Sequence, residues 1–390
     1  MKKKYHLLVY TTAILLFYSQ LFAEETTKEL PKSLKLGVMI DSYYSYNTYK
    51  PITRERQYTT QAVRNDEMNI NLAFVEVGIE EEKYRGKLAI QYGTSVNTNY
   101  SGELSRDVSS NQNSVKHIQE AYVGFKIGKK TWVDAGIYLG HIGFESWISS
   151  DNWNYTRSLS SDYVPYYASG VRVSHEFSDT LTGQIHVMNG WQNITETNKD
   201  KSFGGQLKYK PMEHFSITYN NFIGNEGLDT ERKQTRHYHD LVMEWRIADW
   251  ISVATLSDVG FQRNKQAFLY EPYWNIVDPT LSAYRETNSK SYQHWYQGGL
   301  WLKLQWDPLY RISFRGDRMY DPEQVLAQTG TKDGFMTNSY TATFDYLDFS
   351  PGLLRFEYIQ RDSYNKIFVR FANSLSRKEE LVAVSFSIRY

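Results

Sequence analysis

Leu381-Val382-Ala383-Val384-Ser385-Phe386-Ser387-Ile388-Arg389-Tyr390 alternates in polarity without a break. Val382, Val384, Phe386, Ile388 and Tyr390 fall on one parity; Ala383, Ser385, Ser387 and Arg389 fall on the other. Successive side chains of a β-strand point to opposite faces, so this segment has one apolar face and one small or polar face. An amphipathic strand at the edge of an open sheet is a template for aggregation. In a closed membrane barrel the last strand pairs with the first and both edges vanish. Phe386, Ile388 and Tyr390 then also become the candidate insertion signal for the outer-membrane assembly machinery.

The same period-two pattern runs back along the chain. Leu36, Val38 and Ile40 begin it; Val75, Val77 and Ile79 follow, then Leu88, Ile90 and Tyr92. Ala121, Val123, Phe125 and Ile127 precede Val133, Ala135, Ile137 and Leu139. Comparable runs continue through Ile185, Leu207, Ile217, Met243, Val253, Leu302, Ile312, Phe344 and Phe356. The spacing predicts about sixteen strands, the even number expected of a single-chain transmembrane antiparallel β-barrel. Short connections fall near 82–84, 128–130, 178–180, 211–214, 248–250, 307–309 and 347–352. Between them lie long polar segments near 48–65, 99–114, 144–163, 192–201, 224–236, 262–292, 321–335 and 362–379. Strict alternation of short and long places the short turns and both termini on the periplasmic side and the long loops outside. Trp132, Tyr209, Phe215, Trp245, Trp250, Trp306 and Tyr310 cluster beside the short turns, as a headgroup-level girdle requires.

Composition agrees with an all-β membrane protein. The 390 residues include 32 Tyr and 10 Trp, no Cys, and a formal net charge of +0. Without a basic excess, nucleic acid is not an expected partner. Without Cys there is no disulfide, thiolate metal site or cysteine nucleophile. The mean hydropathy is −0.58, far too polar for a helical membrane protein of this size. A barrel tolerates it, because only alternate residues of each strand meet lipid. Lys2, Lys3 and Lys4 precede a mostly apolar run to Phe22, and Ala23 precedes Glu24 and Glu25. Residues 1–23 therefore read as a secretory signal peptide and 24–390 as one barrel domain.

If the apolar parity faces lipid, the other faces a lumen. It carries Glu120, Asp134, Arg172, Glu176, Lys208, Glu244, Arg246, Lys303, Arg311, Arg315, Asp317, Asp345, Arg355 and Glu357. A dry core would not hold so many charges unpaired, so the interior is expected to be wet. Barrels of this strand number are wide enough for an aqueous channel. Arg172, Arg311, Arg315 and Arg355, with Arg246, are candidates for the basic side of a constriction, faced by Glu120, Glu244, Asp317 or Glu357. The alternative is that they are solvated or locally paired wall residues. Both signs are present, so no ion preference follows.

One region carries a recognisable pattern. Gly140-x-x-Gly143-Phe144-Glu145-Ser146 runs into Asn152-Trp153-Asn154-Tyr155-Thr156-Arg157-Ser158-Leu159. Pro165-Tyr166-Tyr167, Gly170-x-Arg172, Asn189-Gly190-Trp191-Gln192-Asn193 and Asn198-Lys199 follow. This region of about 60 residues resembles the OmpL-like porin family of bacterial outer-membrane β-barrels. Gln192 stands where the family pattern carries Asp. The resemblance implies an outer-membrane channel for passive diffusion of small hydrophilic solutes. Residues 144–163 are expected either to fold inward as a constriction loop, offering Asn152, Tyr155 and Arg157 to a solute, or to pack on the wall and stabilise it.

No Gly-x-Ser-x-Gly elbow, His-Glu-x-x-His site or phosphate-binding loop occurs, so no enzyme, cofactor or metal is expected. His237 and His239 share one strand face and read as rim residues. A surface adhesin or receptor barrel, binding ligands through its long loops, is the alternative function; loop 262–292 holds Tyr270, Tyr273, Trp274 and Tyr284. The expected partners are outer-membrane lipid, the assembly machinery and small hydrophilic solutes, with further copies of the chain as an option.

Overall fold

The computed structural model describes residues 32–103, 115–230, 232–263, 292–371 and 374–390. The expected targeting segment lies outside the described residues, as does nearly all of loop 262–292.

Sixteen long strands are found among the described residues: β1 (Leu34–Asn47), β2 (Met68–Glu80), β3 (Tyr84–Tyr92), β4 (Ile118–Gly128), β5 (Thr131–Leu139), β6 (Tyr167–Glu176), β7 (Leu181–Met188) and β8 (Ser202–Met212). They continue as β9 (Phe215–Asn225), β10 (Thr235–Ala248), β11 (Ile251–Arg263), β12 (Tyr292–Asp307), β13 (Tyr310–Asp321), β14 (Phe335–Tyr346), β15 (Gly352–Ser363) and β16 (Lys378–Arg389). Each pairs antiparallel with its chain neighbours, and the sheet closes on itself. The closing seam joins β16 to β1 in register from Met39↔Arg389 to Asn47↔Leu381. Val38 and Tyr390 extend it with reciprocal backbone hydrogen bonds of 2.9 and 2.8 Å. The quoted terminal segment thus finds its partner on the first strand, and no edge remains.

The parity reading decides which face is which. Leu36, Val38, Ile40, Val75, Val77, Val123, Phe125, Leu300, Phe356, Val382, Phe386 and Ile388 are all exposed on the outer wall. Apolar surface on this scale is stable only in contact with hydrocarbon. Trp245, Trp250 and Trp306 are 50–58% exposed beside the short turns, where amphipathic rings meet headgroups. No helix among the described residues is long and apolar enough to cross a membrane.

The wall is uneven. β5 and β7 are 9 and 8 residues long, whereas β10 and β12 are 14 and 16. On the low side Gly136 faces Gly170 in register. Their φ angles are +135° and +159°, and a Cβ on them would lie 2.2 Å from the Ala121 carbonyl and 2.0 Å from the Val187 carbonyl. Only glycine permits this close, bent approach. Four register shifts fall at short turns, at Lys126/Gly128, Tyr209/Met212, Arg246/Ala248 and Leu304/Asp307, and two lie away from them, at Asp41/Ser42 and Ala89/Ile90. Such bulges sharpen twist at a barrel rim. One element was not foreseen: Thr94–Asn99 is a short helix, tied to β2 by Ser95 Oγ donating to the Asn71 carbonyl at 2.6 Å.

Candidate functional site

Segment 140–166 leaves the low side of the wall at the end of β5 and returns at β6. Its two ends are clipped together, Gly140 N donating to the Tyr166 carbonyl at 2.8 Å. Between them the chain crosses the lumen and rests on the tall side. A loop has no ladder, so its buried backbone groups must find other partners. The inward charges of β13 and β15 supply them. Glu357 accepts from Tyr155 N at 2.6 Å, Thr156 N at 2.9 Å and Thr343 Oγ1 at 2.7 Å. Arg355 donates to the carbonyls of Ser149 at 2.6 Å, Asn152 at 2.5 Å and Asn154 at 3.3 Å. Asp317 accepts from Leu159 N at 2.7 Å, and Asp41 accepts from Ser149 Oγ at 2.7 Å. Glu145 reaches back from the loop to Arg315 at 3.0 Å and Trp301 Nε1 at 3.1 Å.

The wall charges also pair sideways. Arg311, Asp345 and Arg355 occupy one cross-strand row. Arg355 Nε lies 2.9 Å from Asp345, and Arg311 is also ion-paired with it. Opposed ladders facing each other across open water are therefore not the arrangement of this patch. Neighbouring strands are about 5 Å apart, so acid and base meet along the wall long before they meet across the barrel. A second layer seals the network. Segment 48–67 brings Arg56 onto Glu379 through two contacts of 3.1 Å, and Thr60 Oγ1 onto Asp162 at 2.5 Å.

Electrostatics in the loop follow from burial. Desolvation alone would raise the Glu145 carboxyl, but Arg315 and the Ser158 N–H outweigh it and hold it below 4.5. For Asp162 burial wins over Arg361 and Thr60, and the carboxyl sits above its ordinary 3.8. His141, at the root of the loop, is pushed down to about 4 by burial despite its contact with the Asn221 carbonyl.

The structure gathers Arg311, Arg315, Asp317, Arg355 and Glu357 into this one patch. The other candidates lie elsewhere. Glu120 pairs with Lys87 at 2.6 Å and Arg172 with Asp134 at 2.8 Å, on the opposite wall. Glu244 and Arg246 sit on β10 near the periplasmic end. Asn152, Tyr155 and Arg157 are all buried. Asn152 caps the loop on Ser146 N at 2.7 Å; Tyr155 packs near Tyr43 at 6.4 Å; Arg157 lies 3.6 Å over the Tyr166 ring. Their side chains shape the loop rather than line open water. Glu145 was missed as a site residue, although an acid inside the aromatic run Phe144–Trp147 is a detectable signal. Phe386, Ile388 and Tyr390 are exposed on the outer wall of the seam. His237 and His239 are partly exposed, each beside Phe261 at 4.7 and 6.3 Å. Among the described residues no three His, Asp or Glu side chains form a metal site.

Toward the short turns the lumen opens. A cavity of about 380 Å³ is lined by Trp153, Lys208, Lys210, Glu213, His214, Ser216, Glu244, Arg246, Ser252 and Lys303, among others. A second, of about 260 Å³, lies against β1–β4 and contains Lys35, Glu76, Arg85, Lys87 and Tyr122.

Comparison with known proteins places this architecture. The chain resembles the anion-selective porin from Comamonas acidovorans, with 7% identity, a TM-score of 0.58, and coverage of 92% of this chain and 99% of that one. It resembles OmpF of Salmonella typhi, solved with daunomycin, with 12% identity, a TM-score of 0.56, and coverage of 92% and 97%. The outer-membrane channel DcaP of Acinetobacter baumannii gives 12% identity, a TM-score of 0.54, and coverage of 92% and 97%. At these identities the likeness is one of fold. No curated protein matches the chain. A family profile described as "Putative beta-barrel porin-2, OmpL-like" matches residues 33–389. With a closed sixteen-stranded wall, a lipid-facing outer surface and a charged lumen, the chain is an outer-membrane porin and belongs to the OmpL-like beta-barrel porin-2 family.

Proposed function

We propose that this porin passes small hydrophilic solutes and ions by passive diffusion, without catalysis, and that segment 140–166 sets the size limit. The observation that carries the reading is the inward loop itself. It spans the lumen and is fastened to β13 and β15 by Arg315, Asp317, Arg355 and Glu357. A loop held by that many charge-assisted bonds is a fixed constriction rather than a flap. Solutes then cross in the aqueous space the loop leaves, reaching the periplasmic cavities described above. The function needs no cofactor. Export through a cleaved signal peptide at residues 1–23, insertion by the assembly machinery through Phe386, Ile388 and Tyr390, and a surrounding shell of outer-membrane lipid complete the reading. Association with further copies through the apolar outer wall is compatible with it.

The test is reconstitution in planar bilayers. Discrete, small conductance steps are expected from the native protein, and larger steps from Arg355→Ala, in which the loop loses three carbonyl anchors. Liposome swelling with sugars of graded size should show the exclusion limit rising in the variant. A correctly folded barrel with no conductance in either form would remove the diffusion reading and favour a receptor or adhesin that uses the barrel as a support.

A further inference from the structure

The two periplasmic cavities differ in how their cations are compensated. Around the smaller one, each lining cation holds a carboxylate: Lys35 with Glu80 at 2.6 Å, Arg85 with Asp134 at 2.6 Å, and Lys87 with Glu76 and Glu120 at 2.8 and 2.6 Å. Around the larger one, four cations face two carboxylates. Arg246 reaches Glu213 at 3.4 Å. Lys208, Lys210 and Lys303 have no carboxylate within ion-pair distance among the described residues.

Lys303 is nevertheless held in place. Its ammonium lies 4.6 Å from the ring centre of Trp153, a residue of the constriction loop, and Phe144 meets that ring edge-on at 5.5 Å. A cation–π contact orients an ammonium group without neutralising it. The site therefore keeps its positive charge available. Room is made by small neighbours. Arg246, Ser252 and Lys303 follow one another across three strands in register, Ser216 stands opposite Glu244, and Ser216 and Ser252 both line the cavity. The serines leave a floor of hydroxyls between long cationic side chains, which matches the hydrogen-bonding needs of a carboxylate or phosphate oxygen.

We propose that this cavity is a binding site for small organic anions, with Lys208 and Lys303 as the principal contacts, Arg246 in support and Trp153 as the positioning group for Lys303. The proposal rests on the diffusion reading for its physiological meaning, since it names the class of solute that the porin concentrates at its periplasmic end. A transverse excess of positive charge on one wall draws anions to that wall and raises their local concentration.

The test uses the full-length protein with sodium succinate as the dianion and uncharged succinamide as its neutral counterpart. In planar bilayers under a KCl gradient, the native reversal potential should fall on the chloride side. The double variant Lys208→Gln/Lys303→Gln should lower the chloride-to-potassium permeability ratio by about threefold. Succinate binding to the detergent-solubilised protein, followed by calorimetry, should weaken about tenfold in the double variant. Succinamide should not bind, and Lys35→Gln on the opposite wall should leave both readings unchanged. Trp153→Phe, which keeps a ring, should retain more selectivity than Trp153→Ala. A conducting double variant with native selectivity and native succinate affinity overturns the proposal while leaving the diffusion reading intact. Absence of conductance throughout defeats the diffusion reading instead, and the calorimetry then still decides whether the anion site exists.

Discussion

At the level of the inward loop, Arg315, Arg355 and Arg361 are essentially without solvent, and the carboxylates around them are equally dry. A short distance toward the periplasm, Lys208, Lys210 and Arg246 stand exposed on the same inward parity. Both groups obey one rule of strand alternation, yet they behave as different materials. The first is a cross-linked polar solid in which backbone carbonyls and amides complete the coordination of each charge. The second is an electrolyte-facing surface. What separates them is not the strand pattern but whether a loop has descended to cover it. An inward charge in a barrel is thus neither pore-lining nor structural by its position on the strand.

That contrast can be broken at its strongest point first. Arg355→Ala leaves Asp345 and three loop carbonyls short of a donor in a dry site. Stability should fall by about 3–5 kcal/mol, as for the broken half of a buried ion pair. Heat-dependent mobility of the folded barrel on gels reads this directly. Glu357→Gln is a gentler cut. It keeps the shape but removes the charge and points an amide donor at the N–H groups of Tyr155 and Thr156; about 1–3 kcal/mol is expected, read by the same assay. A native-like melting profile in both variants would mean that the network is ornament.

Acid gives a smaller and partly cancelling effect. His141 is held near 4, below its ordinary 6.5, so its contribution is complete above 6.5 and is lost as the pH falls toward 4. Glu145, held below 4.5, adds a loss as the pH falls below 4.5. Asp162 is raised above its ordinary 3.8, so its contribution is present at low pH and is lost as the pH rises through its elevated value. The net expectation is a loop that loosens between about pH 6.5 and 4, visible as growing conductance noise on acidification. His141→Gln should remove the upper part of that window. Lys208→Gln closes the series: on an exposed wall it should change stability by less than about 0.5 kcal/mol, measured by the same melting assay, while still altering selectivity.

The sequence exposes some of this arrangement and conceals the rest, for reasons of range. Val382 against Ser385, or Leu300 against Trp301, is a local distinction, and period-two alternation states which residue faces out. The alternation of short and long connections likewise needs no long-range information, and it places the turns where the structure has them. The partner of Arg355 is a different matter. It donates to a carbonyl 206 residues away, which no local pattern encodes. The same holds for Trp295 and Trp301, whose inward parity was legible but whose burial depends on Tyr238 and on Phe144 arriving from loops and distant strands. The helix Thr94–Asn99 escaped because it is less than two turns long and contains β-branched and Asn residues with weak helix propensity. The larger periplasmic cavity is half visible in the sequence: Lys208, Glu244, Arg246 and Lys303 fall on the inward parity, but their unequal compensation emerges only with Trp153 beside Lys303.

The closing seam carries one more consequence. Asn47 and Leu381 are register partners although they lie 334 positions apart in the sequence (381 − 47). Such a pairing has very high contact order, and chains dominated by non-local pairings form slowly. Until that joint is made, two long strands offer unpaired amides to any neighbour, including another unfinished copy. Slow closure and edge-to-edge association are therefore the expected failure mode of refolding for this topology.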